Sequence, residues 1–445
     1  MQVVADLHLH SKYSRAVSQD MILPNMALWA KKKGIDLLSV SDWTHPLWLR
    51  EIREELEETH EGLYKLKSEY RKSTSEKEPL FLLSVEISSI YSQKGKVHRI
   101  HNLVFVKNFE IAEKVNKELL KRGCNLMSDG RPIIGLSSME LLELILTVDD
   151  KSFIIPCHVW TPWFSLYGSN SGFDSIDEAF GKFADNIYAI ETGLSSDPSM
   201  NWRIKELENR SIVSFSDAHS LIKMGREATV FELENPSYES LREALMHQSK
   251  GKNKILYTME FYPEEGKYHY TGHRNCSVVQ SPSETTAKGT ICPVCKKPLT
   301  VGVMHRVDEL SNGQGLNEES SVDENGVKWI SDPKKLHPPF LKLVQLIQII
   351  AEALSSSTAS QKTRFLYEDL CSKYGSEINV LLKTPLSLIQ KEFGDRVAEG
   401  ISKVRKGDIF ISPGFDGQYG IVKIWKDEVE IEKKSNPVNQ LGIDF

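Results

Sequence analysis

The sequence predicts an α/β protein in which short parallel strands alternate with helices, followed by a small zinc-binding module and a helical C-terminal domain. Three observations carry this. Short apolar runs recur between helical spacings through the first half of the chain. Nearly every one of these runs ends in an Asp, Glu or His. Beyond them Cys276, Cys292 and Cys295 fall close together, and strong helical periodicity returns only after Pro338-Pro339.

Val3, Val4 and Ala5 read as a short buried strand, and Asp6 to His10 then alternates polar and apolar. Residues two apart on a strand share a face, so His8 and His10 can hold one cation between them. Asn25 to Lys33 has helical spacing and stops at Gly34, a C-cap signal. Ile35 to Val40 is a second strand, with Ser41-Asp42-Trp43-Thr44-His45 at its end. Leu49 to Lys72 reads as one charged amphipathic helix. Leu80 to Val85 leads to Glu86, and Val97 to Val106 carries His98 and His101. Ser152 to Cys157 leads to His158, Ile187 to Ile190 to Glu191, and Ile212 to Phe215 to Ser216-Asp217-Ala218-His219.

In a parallel β/α arrangement the C-terminal strand ends converge on one face, where chemical groups collect. A mixed carboxylate and imidazole set there suits zinc or manganese better than an all-oxygen magnesium site. Two cations roughly 3.5–4 Å apart suit phosphoester hydrolysis. After His158 comes a loop with four aromatics, Trp160, Trp163, Phe164 and Tyr167. It reads either as a stacking surface for bases or as a lid packed on the rim. Trp43 and Trp48 lean to packing.

His273-x-x-Cys276 and Cys292-x-x-Cys295 have the spacing of paired zinc knuckles, with His269 as the alternative to His273. Four ligands and no open position describe a structural site. Gly266 to Arg306 holds six Lys/Arg against one Glu, a basic patch suited to a phosphate backbone. Asp308 to Lys335 lacks periodicity and reads as a linker or mobile loop. Phe340 to Leu354, Thr363 to Lys373 and Pro385 to Arg405 read as helices, and two strands flank a Gly-rich turn between Gly407 and Trp425.

A length of 445 residues calls for two or more domains. The net charge of -6 shows no overall basic excess. It lies wholly on residues 1–250, with 30 Lys+Arg against 36 Asp+Glu, since residues 251–445 hold 25 of each. Six cysteines, three of them scattered, make no disulfide framework and point to a reducing, cytoplasmic setting. No apolar run reaches the roughly 18–20 residues of a membrane span. No phosphate-binding loop ending in Gly-Lys-Ser/Thr occurs.

His8-x-His10, Ser41-Asp42, Glu86, His101-Asn102-Leu103-Val104, His158 and Asp217-x-His219, in that order, resemble the polymerase-and-histidinol-phosphatase (PHP) domain. That resemblance implies a distorted seven-stranded β/α barrel holding up to three divalent cations. His8, His10, Glu86 and Asp217 would hold the first. Glu86 would bridge to a second held by His101 and His158, and His219 would hold a third. Trp43 stands where the family has a His, so the third site falls to Asp42 or His45, or is weak or empty. His98 would support a ligand or be one, and Glu191 would be structural or support a ligand. Catalysis would rest on Asp217, Glu86 and His8.

His158-Val159-Trp160-Thr161-Pro162-Trp163, Glu191 to Pro198, Gly225-Arg226-Glu227-Ala228, Tyr270 to Cys276 and Pro413 to Gly417 extend the likeness, resembling the endonuclease Q family. This implies a DNA repair nuclease cutting duplex DNA 5′ to uracil, hypoxanthine, xanthine or an abasic site, with Zn²⁺ and with Mn²⁺ or Mg²⁺ as further candidates at the catalytic cluster. Trp160, Trp163 and Asn170 become candidate pocket walls. Asn439 to Phe445 loosely matches a sliding-clamp peptide. The expected domains are a PHP catalytic domain (1–250), a zinc module (251–310), a linker (311–337), a helical domain (338–406), and C-terminal strands and tail (407–445).

Overall fold

A computed structural model describes residues 1–72, 78–247, 251–315 and 317–426. The sliding-clamp match at 439–445 lies outside the described residues. Gln2–Asp6 lies inside a ten-stranded sheet, antiparallel to Ala228–Glu232 and parallel to Leu37–Ser39. Leu37–Ser39 pairs in parallel with Leu80–Leu82. After Leu83 the chain enters a second sheet as Ser84–Gln93, which turns at Lys94-Gly95 and returns antiparallel as Lys96–Phe105. Both turn residues have positive φ, 51° and 79°, the geometry that matches strand twist in a tight hairpin. Phe153–Pro156 extends this sheet, and Ala189–Glu191 pairs in parallel with Ser211–Val213. All seven expected strands are present, but Lys96–Phe105 pairs antiparallel on both sides where a parallel arrangement is expected, because a two-residue hairpin and not a helix connects it to the strand before.

The strands do not close into a barrel. Among the described residues no ladder joins Phe153–Pro156 to Ala189–Glu191, and only an isolated bridge, Leu9 to Ala218, ties the seventh strand region to the first. Strands of three and four residues leave few ladder positions, and carboxylates take over the backbone donors instead. Glu191 accepts the N–H of His158 at 2.9 Å, and Asp6 accepts those of Ser216 and Gly225, each at 2.9 Å.

Four local readings also change. The helix after His45 ends at Glu55, and antiparallel strands Leu56–His60 and Leu63–Leu66 follow. Gly62, at φ 77°, makes the turn, and the buried Leu63, Tyr64 and Leu66 anchor the edge of the large sheet. The stretch read as a linker contains a hairpin, Glu319–Val322 with Lys328–Ser331, whose first strand is exposed throughout and so shows no apolar alternation. Phe340–Lys342 is a strand parallel to Lys254–Glu260, and its helix begins only at Leu346. Pro385 to Arg405 is two helices, Leu386–Phe393 and Asp395–Lys406, broken at Gly394 with φ 91°.

The helical region docks on the Leu23–Lys33 helix through a buried ion pair. Lys33 Nζ lies 2.6 Å from Glu377 Oε2, which also accepts the Tyr367 hydroxyl at 2.8 Å. The Gly-rich turn between Phe410–Ser412 and Ile421–Lys423 is stitched to residues 264–270. The Gly414 N–H donates to Glu264 O and the Gly414 carbonyl accepts from Tyr270 N–H, both at 2.9 Å, while the N–H groups of Gly417 and Gly420 donate to the carbonyls of Lys267 and Glu265. A Cβ on Gly420 would sit 2.1 Å from Glu264 O, so only glycine fits there. No described helix is long and apolar enough to cross a membrane.

Candidate metal centre

His8 and His10 project from one face just past the Gln2–Asp6 strand, as a period of two requires. Around them Asp42, His158 and Asp217 all adopt positive φ, between 33° and 45°. Such backbone costs on the order of 1–3 kcal/mol per residue and persists where the surroundings over-determine it. Here it ends each strand abruptly and turns the side chains inward. Gly193 permits the bend at His158, since a Cβ there would lie 2.4 Å from the His158 Cβ.

The ligand atoms fall into two adjoining groups. His10 Nε2 is 3.0 Å from Asp217 Oδ1 and 3.3 Å from Glu86 Oε2, and His8 Nε2 is 3.5 Å from the same Asp217 oxygen. On the other side of Glu86, Oε1 is 2.5 Å from His101 Nδ1 and 3.0 Å from His158 Nε2. Glu86 therefore stands between the groups with one oxygen turned to each. Cys157, unnoticed in the sequence, also comes within ligand reach of His8 and Glu191.

Burial opposes charge on His8 and His10, yet neighbouring carboxylates hold both imidazoles well above the usual range, Glu191 and Asp217 for His8, Asp217 and Asp42 for His10. Burial pushes Glu86 the other way, but His101 and Arg131 hold it well below the ordinary carboxylate range. Burial lowers His101 to about 4, against the pull of Glu86 beside it. These buried carboxylates sit ready to balance cationic charge.

Asp42 faces the back of His10, 3.5 Å from Nδ1, and accepts the Ser11 N–H at 2.6 Å and the Ser14 hydroxyl at 2.9 Å. His219 donates from Nδ1 to the Asp217 carbonyl at 2.9 Å, its ring 4.7 Å from that of His10. His45 bonds to Met127 O and stacks on Tyr13. Among the described residues Asp42, His45 and His219 join no three-ligand group. His98 stacks on Phe173 at 3.8 Å and joins none either.

The aromatic loop divides. Trp160 is fully buried, its indole N–H bonded to Asn201 Oδ1 at 2.8 Å and its ring packed on Tyr167, so it is core and not a pocket wall. Trp43 and Trp48 are also fully buried, as their packing role requires. Trp163 is half-buried and meets Tyr268 edge-on at 5.6 Å, and Asn170 is exposed. The aromatic beside the ligands is Phe164, 5.0 Å from the His101 ring.

Arg131 also escaped the sequence reading. Its NH1 donates to Glu86 Oε2 at 3.1 Å from an irregular stretch whose only local signal is Gly130. Separately, His273, Cys276, Cys292 and Cys295 gather into one group, with His273 Nδ1 3.4 Å from Cys295 Sγ. His269 is buried beside Tyr270, outside that group.

A family model described as the MJ0043 C-terminal domain matches residues 345–408. The protein MJ0043 of Methanocaldococcus jannaschii is 32% identical over 293 residues, 63% of this chain but 34% of that relative's length. YqxK of Bacillus subtilis is 28% identical over 440 residues, covering 95% of this chain and 99% of YqxK. The crystal structure of the lesion-specific endonuclease PfuEndoQ from Pyrococcus furiosus superposes with a TM-score of 0.79 at 29% identity, covering 99% of this chain and 100% of that one. Endonuclease Q bound to a 27-mer duplex with an abasic lesion at its active site gives 0.79 at 28% identity, covering 96% and 98%. Over nearly its whole length, the chain is similar to endonuclease Q.

Proposed function

We propose that this chain is a metal-dependent DNA repair endonuclease. It hydrolyses the phosphodiester 5′ to a deaminated base (uracil, hypoxanthine or xanthine) or an abasic site. The observation that carries the reading is Glu86, whose two oxygens face two separate His-containing groups on a scaffold similar to a lesion-specific endonuclease.

The residues fit a pair of divalent cations. His8, His10 and Asp217 would hold one, His101 and His158 the other, and Glu86 would bridge. When bound, such cations polarise a phosphoryl oxygen and lower the pKa of a water. The chain's own work is positioning. Glu191 accepts from His8 Nδ1 at 2.9 Å, which leaves Nε2 as the lone-pair nitrogen facing Asp217. Asp42 faces His10 Nδ1 from behind at 3.5 Å, and Phe164 packs beside His101. Flipping a damaged nucleotide toward the centre costs a few kcal/mol, least at a mismatched or baseless position. Trp163 and Asn170, at the outer part of the loop, are the remaining candidates to meet it.

The Cys3His group is read as a structural zinc site that presents the basic surface around Lys267, Arg274, Lys296 and Lys297 to the backbone of the duplex. The clamp reading of the last seven residues is tested by deleting them and measuring clamp binding.

The decisive experiment is cleavage of end-labelled duplexes carrying uracil, hypoxanthine, xanthine, an abasic site or no lesion. Each is run with Mn²⁺, Mg²⁺, Zn²⁺ or EDTA beside Asp217→Asn. A single nick 5′ to the lesion, lost in EDTA and in the variant, is expected. Equal digestion of undamaged DNA would end the lesion claim, and turnover confined to small phosphomonoesters would make the chain a phosphatase.

A further inference from the structure

We infer that Arg131 is the phosphate-contacting cation of this site, released from Glu86 when the ligand groups fill and turned onto a non-bridging oxygen of the scissile phosphodiester. The inference rests on the function proposed above and names a residue it does not contain.

The first observation is where the guanidinium sits. Arg131 NH1 bonds to the Glu86 oxygen that also faces His8 and His10, the oxygen a cation in the first group would take. This is the one hydrogen bond of the guanidinium among the described residues, and its side chain remains 26% exposed. The other donors of the guanidinium make no hydrogen bond among the described residues. A guanidinium presents five donors in a planar fork, shaped for two oxygens of one phosphate.

The second observation is how rigidly the backbone aims it. Gly130 N–H donates to Tyr13 O at 3.0 Å, and Asp129 Oδ1 accepts the N–H groups of Arg15 and Arg131 at 3.3 and 3.1 Å. A Cβ on Gly130 would lie 2.4 Å from Asp42 Oδ2 and 2.6 Å from Ser14 Oγ. The segment is therefore locked against both the turn after His10 and the carboxylate behind it.

The third is competition for one oxygen. A divalent cation held by His8, His10 and Asp217 would compete with Arg131 for the same Glu86 oxygen and displace the guanidinium from it. The guanidinium then needs an anion, and the anion that reaches this centre is the phosphodiester. Among the described residues no three-ligand group forms around Asp42, His45 and His219, and a permanent side-chain cation serves the phosphate instead.

The test compares wild type with Arg131→Ala and Arg131→Lys in three measurements. These are nicking of the lesion duplex, Mn²⁺ binding by the metal-free protein, and rescue by added guanidinium. Arg131→Ala is expected to lose about 10²–10³-fold in kcat/KM, to bind as many Mn²⁺ ions at equal or higher affinity, and to recover partly with guanidinium but not urea. Arg131→Lys is expected to fall between, since an ammonium contacts one oxygen at a time. Full activity in Arg131→Ala, or activity lost in step with Mn²⁺ binding, overturns the assignment and leaves Arg131 a structural partner of Glu86. Bis(p-nitrophenyl) phosphate is hydrolysed in parallel. If wild type turns over this ester without nicking lesions, a guanidinium-rescued loss in Arg131→Ala on the ester keeps Arg131 and overturns the lesion reading, while no loss overturns Arg131 as well.

Discussion

Glu191 Oε1 lies 2.9 Å from Nδ1 of His8, and its second oxygen takes the backbone N–H of His158 at 2.9 Å. One buried carboxylate thus sets the tautomer of a residue in the first ligand group and the backbone position of a residue in the second. Replacing it by Gln keeps the shape but removes the charge that favours the Nδ1–H tautomer. Loss of such a supporting partner costs about 10–100-fold in metal affinity. Titration of metal-free Glu191→Gln with Mn²⁺ should show that loss, and an unchanged affinity would reduce Glu191 to a substitute for the missing ladder.

Lys33 and Glu377 form their ion pair almost fully out of water. Lys33→Met leaves the carboxylate buried with only the Tyr367 hydroxyl and the Leu346 N–H. Breaking a buried pair from one side costs about 3–5 kcal/mol. Urea denaturation should show this loss, with most of it restored in Lys33→Met/Glu377→Gln. A loss under about 1 kcal/mol, the range of exposed pairs, would mean that water reaches Glu377.

Trp160 and Trp163 are three residues apart and should behave oppositely. Trp160→Ala opens a cavity in the core and should cost about 3–5 kcal/mol of stability. Trp163→Ala should leave the melting temperature nearly unchanged and weaken binding to lesion DNA. Measured melting curves beside DNA titrations in Ca²⁺ separate the two, and the reverse pattern would move the base-facing surface to Trp160.

His337 is buried with neither ring nitrogen hydrogen-bonded among the described residues, and burial lowers its pKa from 6.5 to about 4. The folded chain refuses a proton that the unfolded chain accepts. This contribution to stability is therefore complete above pH 6.5 and is lost as the pH falls toward 4. His337→Phe should flatten the melting temperature against pH across that window. An identical slope would assign the acid sensitivity to other groups.

What was legible in the sequence is what lies at strand ends. An apolar run closed by His, Asp or Glu marks its own boundary, and the runs before His8, Asp42, Glu86, His158, Glu191 and Asp217 all form strands that bring these residues to one place, whereas Lys96–Phe105 carries His101 within it. Barrel closure was not legible, because it depends on which backbone donors Glu191 and Asp6 take, a tertiary choice with no local pattern. The strands at 56–66 hid behind charged residues with mixed periodicity, and only a buried Leu63, Tyr64 and Leu66 distinguish them from a helix face. Arg131 left no trace, since a lone Arg in an irregular stretch looks like surface. Trp160 misled for the opposite reason. Its neighbours suggest a loop, but Asn201 and Tyr167, contributed from elsewhere, decide that it is core.

The stitching of the Gly-rich turn to residues 264–270 bears on how the chain is made. The cysteine cluster is translated long before residues 413–420, yet backbone groups beside it find their partners only there. During synthesis that module must wait, incomplete, while the whole helical region emerges. A ribosome stalled anywhere between the two would present a module whose backbone groups at 264–270 still lack the partners that residues 414–420 supply. Timing, and not only packing, joins the last strands to the middle of the protein.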